Sequence, residues 1–106
     1  MEYNRLGNSG LQISRLSFGS WLTLGKQIGD TTAKDLMKKA YEGGINFFDN
    51  AEAYAGGKSE EVMGEVLNKM GWRRDSYIVS SKVFFGADGG TGHLVPTQRG
   101  LNRKHV

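Results

Sequence analysis

Between Ile45 and Asp49 the chain runs Ile-Asn-Phe-Phe-Asp, a nearly unbroken apolar stretch squeezed between two helical patterns. A strand with so few polar side chains is read as buried on both faces, which is the situation of a strand in a parallel sheet. It also ends in an acid. Carboxylates are almost never fully buried without a partner. A second strand, read over residues 76–82, ends in Lys82, and Tyr54 follows Asp49 by five residues. The rest of the sequence is readable as the frame that brings Asp49, Tyr54 and Lys82 together.

That frame alternates. Residues 3–18 read as a hairpin, with Gly7-Asn8-Ser9-Gly10 as its turn. Arg15 to Gly19 alternates apolar and polar and is expected to be the first core strand. A loop marked by Gly25 and Gly29 leads to a helix that begins near Asp30 or Thr31. Its apolar residues Ala33, Leu36, Met37, Ala40 and Tyr41 fall on one face, and Gly43-Gly44 closes it. After the strand at 45–49, Ser59 is expected to cap a second helix. Glu60 and Glu61 suit the positive end of its dipole, and Val62, Met63, Val66, Leu67 and Met70 form its core face. Gly71 stops that helix. Gly64 inside it costs about 1 kcal/mol relative to alanine, which a close helix-to-strand approach would explain.

The third strand, 76–82, is followed by a long loop from Phe85 to Thr97. Its glycines resemble a phosphate cradle only superficially, because no Gly-Lys-Ser/Thr ending is present. Residues 99–106 read as the beginning of another helix. Strands alternating with helices in this order indicate an α/β fold with a parallel sheet. No linker divides the chain, so residues 1–106 are expected to belong to a single domain.

Composition narrows the partners. With no cysteine, disulfides, thiolate metal sites and redox thiols are excluded. The net charge of +3 is modest, and only Arg99, Arg103 and Lys104 cluster; a solvated face explains them better than a nucleic-acid footprint. There is neither a signal-peptide core nor an apolar run approaching the ~18 residues of a membrane span, so a cytoplasmic protein without membrane insertion is expected. No metal site is expected.

The three core strands all carry polar or aromatic groups at their C-terminal ends: Ser20 and Trp21, then Asp49 and Tyr54, then Lys82. In α/β sheets and barrels that side is where sites are built. Taken singly, each residue is explained by a structural role: a loop cap, a surface aromatic, a solvated strand end. Their agreement across three strands favours chemistry. A phenol with an unperturbed pKa of ~10 is a usable proton donor to a carbonyl, and a lysine ammonium nearby favours the phenolate. An aspartate paired with the lysine fixes it. Such a trio suits general acid catalysis on a carbonyl. None of these groups can deliver hydride, so a nicotinamide cofactor is required. The Rossmann fingerprint is absent, so the dinucleotide must be held in another way.

These residues carry a family resemblance. Leu6-Gly7-Asn8-Ser9-Gly10-Leu11, Phe18-Gly19-Ser20-Trp21, Asn46 to Tyr54, and Ser81-Lys82 resemble the aldo-keto reductases. Gly71-Trp72-Arg73-Arg74 and Arg99 to His105 resemble the branch that holds the β subunits of voltage-gated potassium channels and their microbial relatives. Asn50 stands where the family usually has threonine or serine, with the spacing to Tyr54 kept.

The resemblance implies an NADPH-dependent reductase of aldehydes or ketones on a (β/α)8 TIM barrel. This chain would supply the hairpin and three βα units, an incomplete barrel. Tyr54 would be the general acid, tuned by Lys82 and Asp49, while Ser20, Trp21, Gln27 and Asp49 match positions that contact the cofactor. The family's catalytic histidine follows the fourth strand, and neither His93 nor His105 lies there. Because such a barrel takes roughly 250 residues, the chain by itself is expected to be neither a competent reductase nor a stable monomer. Two alternatives stay open: a non-catalytic, cofactor-binding regulatory protein like the channel subunits, and an inactive remnant. Expected partners are a small aldehyde or ketone and, as an option left open, further copies of the chain.

Overall fold

The computed structural model describes residues 1–106. Two short strands come first, β1 (Tyr3–Arg5) and β2 (Gln12–Ser14), paired antiparallel with Asn4 opposite Ile13. Three more, β3 (Phe18–Gly19), β4 (Phe47–Asp49) and β5 (Ile78–Ser80), form a parallel sheet in the order β3-β4-β5. The helices α1 (Asp30–Glu42) and α2 (Lys58–Met70) are the crossovers between them. The α/β reading, with strands and helices alternating along the chain around a parallel sheet, therefore holds.

Both helices cover the same face of the sheet. Leu24, Ala33, Met37, Phe48, Val62, Met63 and Val66 make one buried cluster. Phe48 is its centre, fully enclosed, with its ring 5.9 Å from Phe18 and 6.0 Å from Trp72. Side chains alternate along a strand, so Phe47 and Asp49 lie on the opposite face, where no helix covers them. Burial on both faces of this strand is thus corrected to burial on one: Phe47 and Asp49 are only partly covered.

The hairpin closes the N-terminal end of the sheet. Asn46, just before β4, donates to Gln12 O (3.1 Å) and accepts from the Ser14 amide (2.8 Å). Tyr3 donates its hydroxyl to Gly44 O at 2.6 Å. At Gly44 the φ of +95° and the contact with Met1 leave no room for a Cβ. The opposite, C-terminal end stays open.

Several local expectations are corrected. The first core strand shrinks from 15–19 to Phe18–Gly19, the two residues that pair with β4. The third shrinks to Ile78–Ser80, because Arg74–Ser76 winds into a 3₁₀ turn. Leu36 is 43% exposed rather than core, as only the edge of α1 bearing Ala33 and Met37 meets the sheet and α2. Ser59 does not cap α2. The cap is Gly57, two residues earlier, and the buried Ser59 hydroxyl points to Ser20 O at 3.4 Å. A Cβ on Gly64 would touch nothing within 4 Å, so no close strand approach explains that glycine. Residues 99–106 form turns rather than a helix, although Asn102 Oδ1 accepts from the Lys104 and His105 amides as a helix cap does. No helix is long and apolar enough to cross a membrane.

Candidate active site

Parallel pairing puts Gly19, Asp49 and Ser80 side by side at the C-terminal edge of the sheet. Asp49 and Ser80 are register partners, so their side chains share a face, and Lys82 follows Ser80 by two residues. The Asp49 carboxylate receives all of them. Lys82 Nζ donates to Asp49 Oδ1 at 3.0 Å and Oδ2 at 2.8 Å, and Ser80 donates to Oδ1 at 2.5 Å. Lys82 Nζ also donates to Asn50 O (2.7 Å) and reaches the Tyr54 hydroxyl at 3.4 Å, 5.1 Å from the centre of that ring. One ammonium thus joins Asp49 to Tyr54.

The electrostatics follow from these contacts. Burial by itself pushes the Asp49 carboxyl upward, but the hydrogen bonds of Lys82 and Ser80, with the Lys82 charge, outweigh it and hold the group below its ordinary 3.8. Lys82 moves above its ordinary 10.5, chiefly through its hydrogen bond to Asp49; burial opposes the shift and Tyr54 adds to it. The pair is not deeply enclosed: the side chains are 32% and 54% exposed.

Tyr54 opens a 3₁₀ turn, Tyr54–Gly57, and Ala55 directly after it has a left-handed backbone, φ 51°. That conformation costs a non-glycine residue roughly 1–2 kcal/mol, and it bends the chain sharply beyond the phenol. Gly56 then meets the long loop: Gly89 donates its amide to Gly56 O at 2.9 Å. Between these segments lies a cleft of about 660 Å³ whose lining includes Trp21, Lys26, Tyr54, Phe85 and Asp88. Trp21 is 67% exposed, with its ring 6.5 Å from that of Tyr54.

The expected site residues do not all meet. Asp49, Tyr54 and Lys82 do, and Trp21 stands beside them. Ser20 is adjacent but buried, its hydroxyl donated to Asp49 O at 2.7 Å. Gln27 lies exposed in a turn after Thr23 and does not line the cleft; its neighbour Lys26 does. Asn50, at the position noted for departing from the resemblance, is enclosed, with its amide donating to Ser59 O (3.1 Å). Ser80, Lys26, Phe85 and Asp88 were not expected. Ser80 was findable, since it shares a strand face with Lys82 by period two; the others come from loops that carry no such signal.

The donor set suits a ligand with a hydroxyl-bearing, planar end. The Asp49 carboxylate is partly exposed and accepts one hydrogen bond at Oδ2, and the exposed Trp21 ring is free for stacking. Residues 15–106 match the model of the "Aldo/keto reductase family".

The chain belongs to the aldo/keto reductase family.

Across all 106 residues it is 46% identical to a "Probable voltage-gated potassium channel subunit beta" of Oryza sativa subsp. japonica and 45% identical to a protein of the same description from Arabidopsis thaliana. The chain spans 30% of the length of each of these relatives.

Proposed function

We propose that this aldo/keto reductase chain carries the proton-donating half of an NADPH-dependent reductase of aldehydes or ketones. The observation that carries the reading is the single Lys82 ammonium shared by the Asp49 carboxylate and the Tyr54 hydroxyl. Tyr54 donates its proton to the carbonyl oxygen as the carbonyl carbon accepts hydride, giving the alcohol. The phenolate left behind faces Lys82, whose charge stabilises it until solvent returns the proton. Asp49 keeps Lys82 charged and aimed. NADPH, when bound, supplies the hydride. Trp21 and the free edge of Asp49 would hold it, with Ser20 acting through Asp49 O and Gln27 only if its turn moves. The substrate would enter the cleft between Trp21, Tyr54 and Phe85.

In this reading the three-stranded sheet is one arc of a (β/α)8 barrel in a cytoplasmic protein, with the rest of the barrel needed for activity. Open C-terminal strand ends and one-sided helix cover support it. A second reading, a regulatory protein that holds the cofactor without turnover, is favoured by the descriptions of the relatives. The full-length natural protein separates them: 4-nitrobenzaldehyde should drive NADPH consumption above background. Tight NADPH binding without aldehyde-dependent consumption would favour the regulatory reading.

A further inference from the structure

Glu52 stands two residues before Tyr54, and two other segments meet it, residues 82–84 and the turn at His105. Its amide donates to Lys82 O at 3.1 Å, and one carboxylate oxygen accepts the amide of Phe84. The other oxygen lies 2.6 Å from His105 Nε2, a close approach without hydrogen-bond alignment, and that nitrogen has no other partner. Both side chains are only 12% exposed. A carboxylate so enclosed needs partners for both oxygens.

The position matters because Tyr54 and Lys82 belong to different loops. Lys82 follows β5 and Tyr54 follows β4, so their 3.4 Å contact depends on the register between the loops. Glu52 holds the chain at two points: its amide at the Lys82 carbonyl and its carboxylate two residues on, at the Phe84 amide. Without the carboxylate, the β4 loop keeps the Lys82 side chain and the backbone bonds at Ser80 O, Lys82 O and, farther out, from Gly89 to Gly56 O, but nothing holds the β5 loop at Phe84. We propose that Glu52 is a positioning residue, clamping the Tyr54 loop to the Lys82 loop, with His105 as the brace behind it. The effect on rate rests on Tyr54 being the proton donor; the clamp itself rests on geometry alone.

The test uses the full-length natural protein and Glu52→Ala, Glu52→Gln and His105→Ala. Hydrogen exchange at the Phe84 amide, the NOE between the Tyr54 ring and the Lys82 ε-methylene, and single-turnover aldehyde reduction at saturating NADPH are read together. Glu52→Ala should speed Phe84 exchange about tenfold, as expected for losing a charge-assisted hydrogen bond. It should also erase the NOE and slow reduction by a similar factor, with the NADPH Kd unchanged. Glu52→Gln, which keeps an acceptor for Phe84, should restore most of the exchange protection, the NOE and the rate; His105→Ala should fall between. If Glu52→Ala does not fold, Glu52→Asp serves, since it keeps the charge but shortens the arm. Unchanged Phe84 exchange would overturn the clamp. Faster exchange with NOE and rate intact would make Glu52 a merely structural residue. If the wild type reduces no aldehyde, the proposed function fails, while exchange and NOE still decide the clamp.

Discussion

Lys82 Nζ bridges both oxygens of the Asp49 carboxylate, at 3.0 and 2.8 Å, while standing 3.4 Å from the Tyr54 hydroxyl. A lysine tied this way cannot follow solvent, so its charge is fixed where a phenolate would form. In the full-length natural protein that arrangement and the core beneath it should govern both rate and stability.

Lys82→Met removes the charge, leaves Asn50 O without its side-chain donor and leaves the Asp49 carboxylate with Ser80 as its remaining side-chain donor. Because the pair is partly exposed, the expected stability loss is only about 1 kcal/mol, well short of the loss for breaking a buried pair. Urea unfolding of both proteins measures it. The same variant should reduce aldehydes far more slowly, since the phenolate loses its counter-charge.

The stability difference between wild type and Lys82→Met should depend on pH in a defined window. Asp49 is lowered by folding, so its contribution is full above 3.8 and fades as pH falls through its lower folded value. Lys82 is raised, so its contribution is full below 10.5 and fades as pH rises through its higher folded value. Between those limits the difference should be flat. Unfolding curves from acid to neutral pH check this; a difference that grows on acidification contradicts the pairing.

Phe48→Ala should cost about 3–5 kcal/mol, because Phe48 is fully enclosed and both helices rest on it. Thermal unfolding reads the loss. Asp49 follows directly in the same strand, so activity should fall with stability.

Ala55→Gly should stabilise the protein by up to about 1 kcal/mol, since glycine adopts the left-handed backbone after Tyr54 without the steric cost. Gly56→Ala should do the reverse: its Cβ would stand 2.5 Å from Gly90 N and 2.6 Å from Asp88 Oδ1. The loop would have to leave, raising KM for the carbonyl. Differential scanning calorimetry and steady-state kinetics separate the two effects.

Sequence pattern carried the parts of this structure that repeat. Ala33, Met37, Val62, Met63 and Val66 stand at helical spacing, and they are five of the seven residues of the buried cluster. Asp49, Tyr54 and Lys82 were legible because each lies at or beyond the C-terminal end of a strand of one parallel sheet, which brings such ends together whatever lies between. What pattern could not carry was contact between loops. Leu36 has the right spacing but nothing faces it, Gln27 sits one residue from the cleft-lining Lys26, and Glu52 meets Phe84 and His105 from far along the chain. Ser59 has the side chain of a cap, but the N-cap is the left-handed Gly57 two residues earlier, and Ser59 lies inside the helix.

Single-turnover reduction at saturating NADPH, wild type against Tyr54→Phe, tests the central claim most directly. The phenylalanine ring keeps most of the packing against Trp21 while removing the proton donor. The account predicts a rate constant lower by about 10²–10⁴-fold with the NADPH Kd nearly unchanged. Equal rates would contradict it, removing Tyr54 from the chemistry and with it the catalytic roles given to Lys82 and Asp49.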